Sequence, residues 1–130
     1  GKPQPNDPGV WTVKPGEMPP SDGDWTTLYF LPGVHDVGIG FPLRACRNYY
    51  IPGDAIVYGT LSNQKWGDAH HVRIFGLGTL SGARLKHPKY VEPKLSDDGH
   101  KRYRPIEIMG ATDAHVEGIT IADSATHSLM

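Results

Sequence analysis

The amino-acid sequence predicts an all-β fold, and three of its features carry that prediction. Its 130 residues include 16 glycines and 12 prolines, together about twice their usual share. Up to Gly118, no more than nine residues separate one glycine or proline from the next, which leaves little room for a helix. The segments between them are rich in β-branched and aromatic residues and recur along the chain, as the strands of a repetitive fold do.

The predicted strands can be placed in order along the chain. Six of the prolines fall within the first 24 residues, which predicts an extended linker with one short strand near residues 10–13. Further strands are predicted over 27–31, 34–37, 49–51, 55–58, 60–61, 106–109 and 116–121. Most of them end at glycine, proline or a turn sequence such as Pro52-Gly53-Asp54.

Two internal echoes predict how these strands are arranged. Residues 58–62 (YGTLS) resemble 77–81 (LGTLS) at an offset of 19, and 71–74 (HVRI) resemble 115–119 (HVEGI) at an offset of 44. Short strands that return about every 20 residues are typical of a solenoid, in which each coil buries its apolar face against the next. We therefore predict a right-handed parallel β-helix with Leu61 and Leu80 in one interior stack. A β-sandwich whose strands are similar by chance is the alternative.

The charge balance and the single cysteine restrict the function. The chain carries 13 Lys and Arg against 14 Asp and Glu, a formal net charge of -1, which disfavours a nucleic-acid partner and a basic membrane-binding patch. Cys46 alone can form neither an internal disulfide nor a multi-cysteine zinc site. Residues 83–104 interrupt the repeats with seven basic and three acidic residues, which predicts a long polar loop.

Five segments carry a resemblance to family 49 glycoside hydrolases, the dextranases and isopullulanase. They are 27–38 (TLYFLPGVHDVG), 49–60 (YYIPGDAIVYGT), 73–82 (RIFGLGTLSG), 104–107 (RPIE) and 116–124 (VEGITIADS). The later segments are also similar, more loosely, to polygalacturonases and other pectin-lyase-like proteins. The resemblance implies that residues 25–130 are the first coils of a β-helix, truncated at the C-terminus. It implies that residues 1–24 link them to an N-terminal β-sandwich that the chain lacks.

The same resemblance implies a function. Members of the family are mostly secreted enzymes that hydrolyse α-glucans with inversion, so the implied parent protein is an extracellular dextranase that cleaves the α-1,6 links of dextran. Isopullulanase is the alternative within the family, and a non-catalytic β-helix for carbohydrate binding or adhesion is the alternative outside it. The family's catalytic aspartates are implied downstream of Met130, so no catalytic residue is assigned here. The adjacent acids Asp97 and Asp98 lie in the polar loop and do not suit the two-carboxylate reaction.

Five residues are candidate contacts to a sugar chain. Asp123 follows a predicted strand at a coil corner and precedes His127, so both could reach a groove along the coils. Asp123 equally suits a hydrogen bond within its own turn. Tyr90, Lys101 and Tyr103 lie in the polar loop, where aromatic faces and directional donors could border the groove.

Two further sets of residues have weaker claims to a role. Asp68, His70 and His71 could suggest a metal site, but one carboxylate and two adjacent histidines converge poorly, so we expect no metal and no cofactor. Aromatic side chains outside the loop could stack on sugar rings, or could pack in the core and cap the first coil: Trp11, Trp25, Trp66, Tyr49 and Tyr50.

Overall fold

The described part of the chain is built from parallel β-strands, which confirms the all-β prediction. The computed structural model describes residues 2–83 and 104–122, and every strand pair within them is parallel. None of these residues belongs to a helix long and apolar enough to cross a bilayer. The strands are β1 (Val10–Val13), β2 (Thr27–Phe30), β3 (Gly33–Pro42), β4 (Asn48–Tyr50), β5 (Ala55–Ser62), β6 (Arg73–Phe75), β7 (Thr79–Ser81), β8 (Ile106–Glu107), β9 (His115–Glu117) and β10 (Thr120–Ala122).

The chain alternates between two sheets as it advances. The first sheet has the order β1-β2-β4-β6-β9, and the second has the order β10-β7-β5-β3. From β2 to β7 each strand of one sheet is followed by a strand of the other, and β8 extends the second sheet by pairing with the end of β5. The strand predicted near residues 10–13 forms as β1 and pairs with β2, so this part of the predicted linker belongs to the first sheet.

Inward-pointing side chains of the two sheets make one core. In the first sheet Leu28, Tyr49 and Ile74 lie in register on neighbouring strands, and all three are buried. In the second sheet Val57 and Leu80 are aligned in the same way. Because successive strand residues face opposite sides, the residues next to these point outward. Both columns belong to a single hydrophobic cluster.

The predicted interior stack of Leu61 on Leu80 is wrong. Leu80 pairs with Val57, and Leu61 pairs instead with Phe41 on one side and Ile106 on the other. The true register is thus four residues away from the echo of 58–62 by 77–81. A shift by an even number keeps every side chain on its own face, so both leucines are buried although they stand in different columns.

Three other sequence predictions differ from the structure at or near glycine. The echo of 71–74 by 115–119 is out by two, since Ile74 pairs with Val116. The single strand predicted over 116–121 is divided into β9 and β10 at Gly118, whose φ is +84°. Conversely, β3 continues through Gly38 and Gly40, where the ladder to β5 shifts register instead of ending.

One corner of the fold repeats with an unusual backbone conformation. Cys46, His71 and Asp113 have φ values of 61°, 61° and 58°. Each stands two residues before a strand of the first sheet, and the Cys46 N–H donates to His70 O while the His71 N–H donates to Thr112 O. Left-handed backbone costs a non-glycine residue about 1–2 kcal/mol. The stacking of successive strands, and not the residue type, therefore imposes this corner.

Burial of Tyr49 predicts a loss of stability at high pH. Its hydroxyl accepts a hydrogen bond from the Arg44 backbone N–H at 2.9 Å, and desolvation raises the pKa of the phenol to about 12 from 10.0. A pKa raised on folding contributes stability that is complete below pH 10 and is lost as the pH rises through about 12. Two units correspond to about 2.7 kcal/mol. Chemical denaturation at pH 9 and pH 11.5 should show the wild type losing more stability than Tyr49→Phe, and equal losses would contradict the assignment.

Candidate functional site

The five residues predicted to contact sugar lie outside the described residues. Tyr90, Lys101, Tyr103, Asp123 and His127 fall in 84–103 or 123–130, so their roles stay predictions. The site described below is therefore built from other residues, all of which belong to or flank the strands of the first sheet.

An aromatic column runs along the outer face of the first sheet. Tyr29, Tyr50 and Phe75 are register partners on β2, β4 and β6. Their ring centroids are 4.9 Å and 5.0 Å apart, with the rings tilted against each other. They face outward because the residue before each of them points into the core. Tyr50 and Phe75 nevertheless keep only 6% and 8% of their surface exposed, so the column is a well-supported wall.

This column forms one wall of an open cleft of about 700 Å³. The turns that follow β2, β4 and β6 build the opposite side, because Pro32, Pro52 and Leu77 come directly after those strands or one residue further on. Leu77 is 76% exposed, an unusual position for a large apolar side chain, and it stands at the edge of the cleft. The cleft therefore has an apolar surface that is accessible from solvent.

The charges around the cleft balance. Its charged lining consists of two cations, Lys2 and Arg73, and two carboxylates, Asp54 and Glu117. The Arg73 guanidinium lies 3.8 Å from the centre of the Phe75 ring, and its Nη2 is 3.4 Å from Glu117 Oε1. Glu117 thus directs one oxygen at Arg73, and the cleft carries no net charge.

Two phenol hydroxyls supply polar edges to the apolar wall. Within residues 2–83 and 104–122, neither the Tyr29 nor the Tyr50 hydroxyl makes a hydrogen bond to another side chain or to the backbone. Desolvation raises the pKa of Tyr29, and the neighbouring Tyr50 and Asp54 add to that shift. Both hydroxyls are therefore neutral donors and acceptors at neutral pH.

The histidines weighed as metal ligands are used in another way. Asp113 accepts hydrogen bonds from His71 Nδ1 and His115 Nε2, each at 2.7 Å, and these bonds hold the pKa of its carboxyl below the usual value. His70 instead contacts Thr112, and Asp68 accepts from the Lys65 N–H. Among the described residues, no three ligating side chains are placed to hold a metal ion.

Comparison of the chain with models of protein families, with curated proteins and with solved structures found no match. The resemblance to family 49 glycoside hydrolases therefore stays a prediction.

Of the residues that form the cleft wall, the sequence singled out only Tyr50. Tyr29 and Phe75 were missed, although each is an aromatic residue flanked by a core residue in a strand that ends near glycine or proline. The recurrence of such an aromatic at 29, 50 and 75 is the signal that could have found them. It is hard to use because the spacing between coils changes from 21 to 25 residues.

Proposed function

We propose that the chain is the first part of a right-handed parallel β-helix in a secreted, dextranase-like glycoside hydrolase, and that its cleft binds an α-glucan chain. The observation that carries the binding role is the aromatic column of Tyr29, Tyr50 and Phe75 in a cleft without net charge. The resemblance to family 49 glycoside hydrolases supports the choice of dextran.

The strand order supports the proposed β-helix. Parallel strands that alternate between two sheets need a connection that returns to the same side after each pair, as the coils of a solenoid do. Parallel crossovers are right-handed in nearly all proteins, which supports the proposed hand. A β-sandwich is built from antiparallel pairs, whereas every described pair is parallel.

The chemistry of the cleft suits a neutral sugar. A pyranose presents apolar C–H faces and a rim of hydroxyls, and the cleft offers aromatic and aliphatic surface beside two phenol hydroxyls. A polyuronate carries one negative charge per residue and would need a surplus of cations, which the balanced cleft lacks. This supports a glucan over a pectin-type polymer as the ligand.

The cleft supports binding more strongly than hydrolysis. An inverting glycosidase needs one protonated acid and one carboxylate about 6.5–9.5 Å apart around the scissile bond. Glu117 is engaged by Arg73, and Asp54 lies in the turn before β5. A non-catalytic carbohydrate-binding β-helix is therefore the second candidate function. In either case we expect no reducing ends when the purified chain is incubated with dextran, and release of reducing sugar would contradict this division of roles.

Removing the two cleft hydroxyls should weaken dextran binding. The double variant Tyr29→Phe/Tyr50→Phe keeps both rings and loses about 0.5–1.5 kcal/mol for each hydrogen bond to the ligand. Affinity electrophoresis in gels containing dextran, pullulan or polygalacturonate measures the effect. We expect wild-type retardation by dextran, little by polygalacturonate, and an affinity about tenfold lower in the double variant.

The matched control is Tyr58→Phe, since Tyr58 lies on β5 and does not line the cleft. It should migrate as the wild type does. Equal retardation of all three proteins by dextran would show that the cleft hydroxyls make no contact. No retardation of the wild type by any neutral glucan would remove the proposed function.

A further inference from the structure

We propose that Trp66 is a second sugar-binding platform, separate from the cleft. The proposal rests on the proposed function only in taking a neutral polysaccharide as the ligand. Trp66 lies between β5 and β6 and is 79% exposed, the highest value among the large hydrophobic residues that the structure describes. It does not line the cleft. A tryptophan this exposed loses hydrophobic stabilisation unless a ligand covers it.

The turn that carries Trp66 is firmly held, so the indole is presented in one position. The Asn63 side chain donates from Nδ2 to Lys65 O and Met109 O, and its Oδ1 accepts from the Met109 N–H, each at 2.9 Å. The Lys65 N–H donates to Asp68 Oδ2 at 3.0 Å, and the Gly67 N–H donates to Met109 O at 2.8 Å. A platform fixed before binding loses little conformational entropy when the ligand arrives.

Gly110 supports the indole from behind. A Cβ atom at Gly110 would collide with Nε1, Cδ1 and Cε2 of Trp66, so only glycine lets the ring lie against the backbone here. The φ of Gly110 is +69°, which also favours glycine. The indole is thus backed by main chain on one side and open to solvent on the other, which is the arrangement needed to stack on a flat ligand.

The surroundings of Trp66 select a sugar ring over a protein partner. Its chain neighbours Gln64 and Lys65 are exposed and polar, so the apolar patch is confined to one indole. Stable protein interfaces bury about 800 Å² on each partner, several times what one side chain supplies. One indole face matches one pyranose face, and the polar neighbours can reach its hydroxyls.

Two platforms on one surface predict a dependence on ligand length. A long dextran chain can engage the cleft and Trp66 together, which raises its apparent affinity, whereas a trisaccharide occupies one site at a time. The experiment compares Trp66→Leu, Trp66→Tyr and the control Trp11→Leu, with thermal unfolding to show that each variant is folded. Binding is measured to long dextran by affinity electrophoresis and to isomaltotriose by calorimetry.

We expect Trp66→Leu to bind long dextran about fivefold more weakly, Trp66→Tyr to recover most of the loss, and Trp11→Leu to match the wild type. Isomaltotriose bound in the cleft should keep its affinity in Trp66→Leu. If Trp66→Leu binds dextran as the wild type does while the double cleft variant is impaired, the platform is wrong and the proposed function stands. If the Trp66 variants instead change the sedimentation of the protein without ligand, the indole is a self-association contact and the platform is wrong.

Discussion

Replacing Leu80 with aspartate should prevent the chain from folding. Leu80 is fully buried and stands in one column between Val57 and Ile121. An unpaired carboxylate there costs several kcal/mol, a large part of the roughly 5–15 kcal/mol that stabilises a typical domain. Circular dichroism and thermal unfolding should show no cooperative transition for Leu80→Asp.

The control for this variant lies three residues earlier in the chain. Leu77→Asp makes the same chemical change at a side chain that is 76% exposed, and it should unfold cooperatively near the wild-type temperature. A folded, cooperative Leu80→Asp protein would contradict the register between β5 and β7 on which the core is built.

Replacing Gly76 with alanine should destabilise the protein by at least as much. Gly76 follows β6 with φ +120°, a conformation that alanine rarely adopts, and its added Cβ would collide with the backbone carbonyl of Ile51 on the neighbouring coil. Because main chain cannot move aside as a flexible side chain can, the collision must separate two rungs of the first sheet. We expect a loss of more than about 3 kcal/mol, measured by chemical denaturation.

Gly38→Ala separates the strain of the backbone from the collision. Gly38 also has positive φ, +75°, but an added Cβ would meet no atom within 4 Å. It should therefore cost only about 1–2 kcal/mol, the price of left-handed backbone. If the two alanine variants are equally destabilised, close approach of the coils at Gly76 is not the cause.

The register shows how far the sequence can be used and where it stops. Side-chain alternation has a period of two, so it assigns Leu61 and Leu80 to the interior without saying which residues they stand beside. The partner of each strand depends on the length of the intervening turns. Those turns bring Tyr29 to Tyr50 after 21 residues and Tyr50 to Phe75 after 25. Matching letters at a constant offset therefore finds the right face and the wrong neighbour.

The candidate site was predictable only in part for the same reason. Tyr50 stands out in the sequence as an aromatic residue before a turn, and Trp66 as an isolated tryptophan in a polar segment. That Tyr50 lies between Tyr29 and Phe75, or that Gly110 supports Trp66 from more than forty positions away, depends on contacts between coils. The balance of charge in the cleft likewise depends on Arg73 meeting Glu117 across the ladder of β6 and β9.

The sequence by itself determined that this protein is all-β, because frequent glycine and proline exclude long helices and the apolar residues between them follow strand patterns. Only the tertiary structure decided which strands pair, that all the described pairs are parallel, and which outward side chains meet in a cleft. The physical reason is that alternation and turn preference are local properties of the chain. The columns in which Cys46, His71 and Asp113, or Tyr29, Tyr50 and Phe75, stand together arise only when coils of unequal length are stacked.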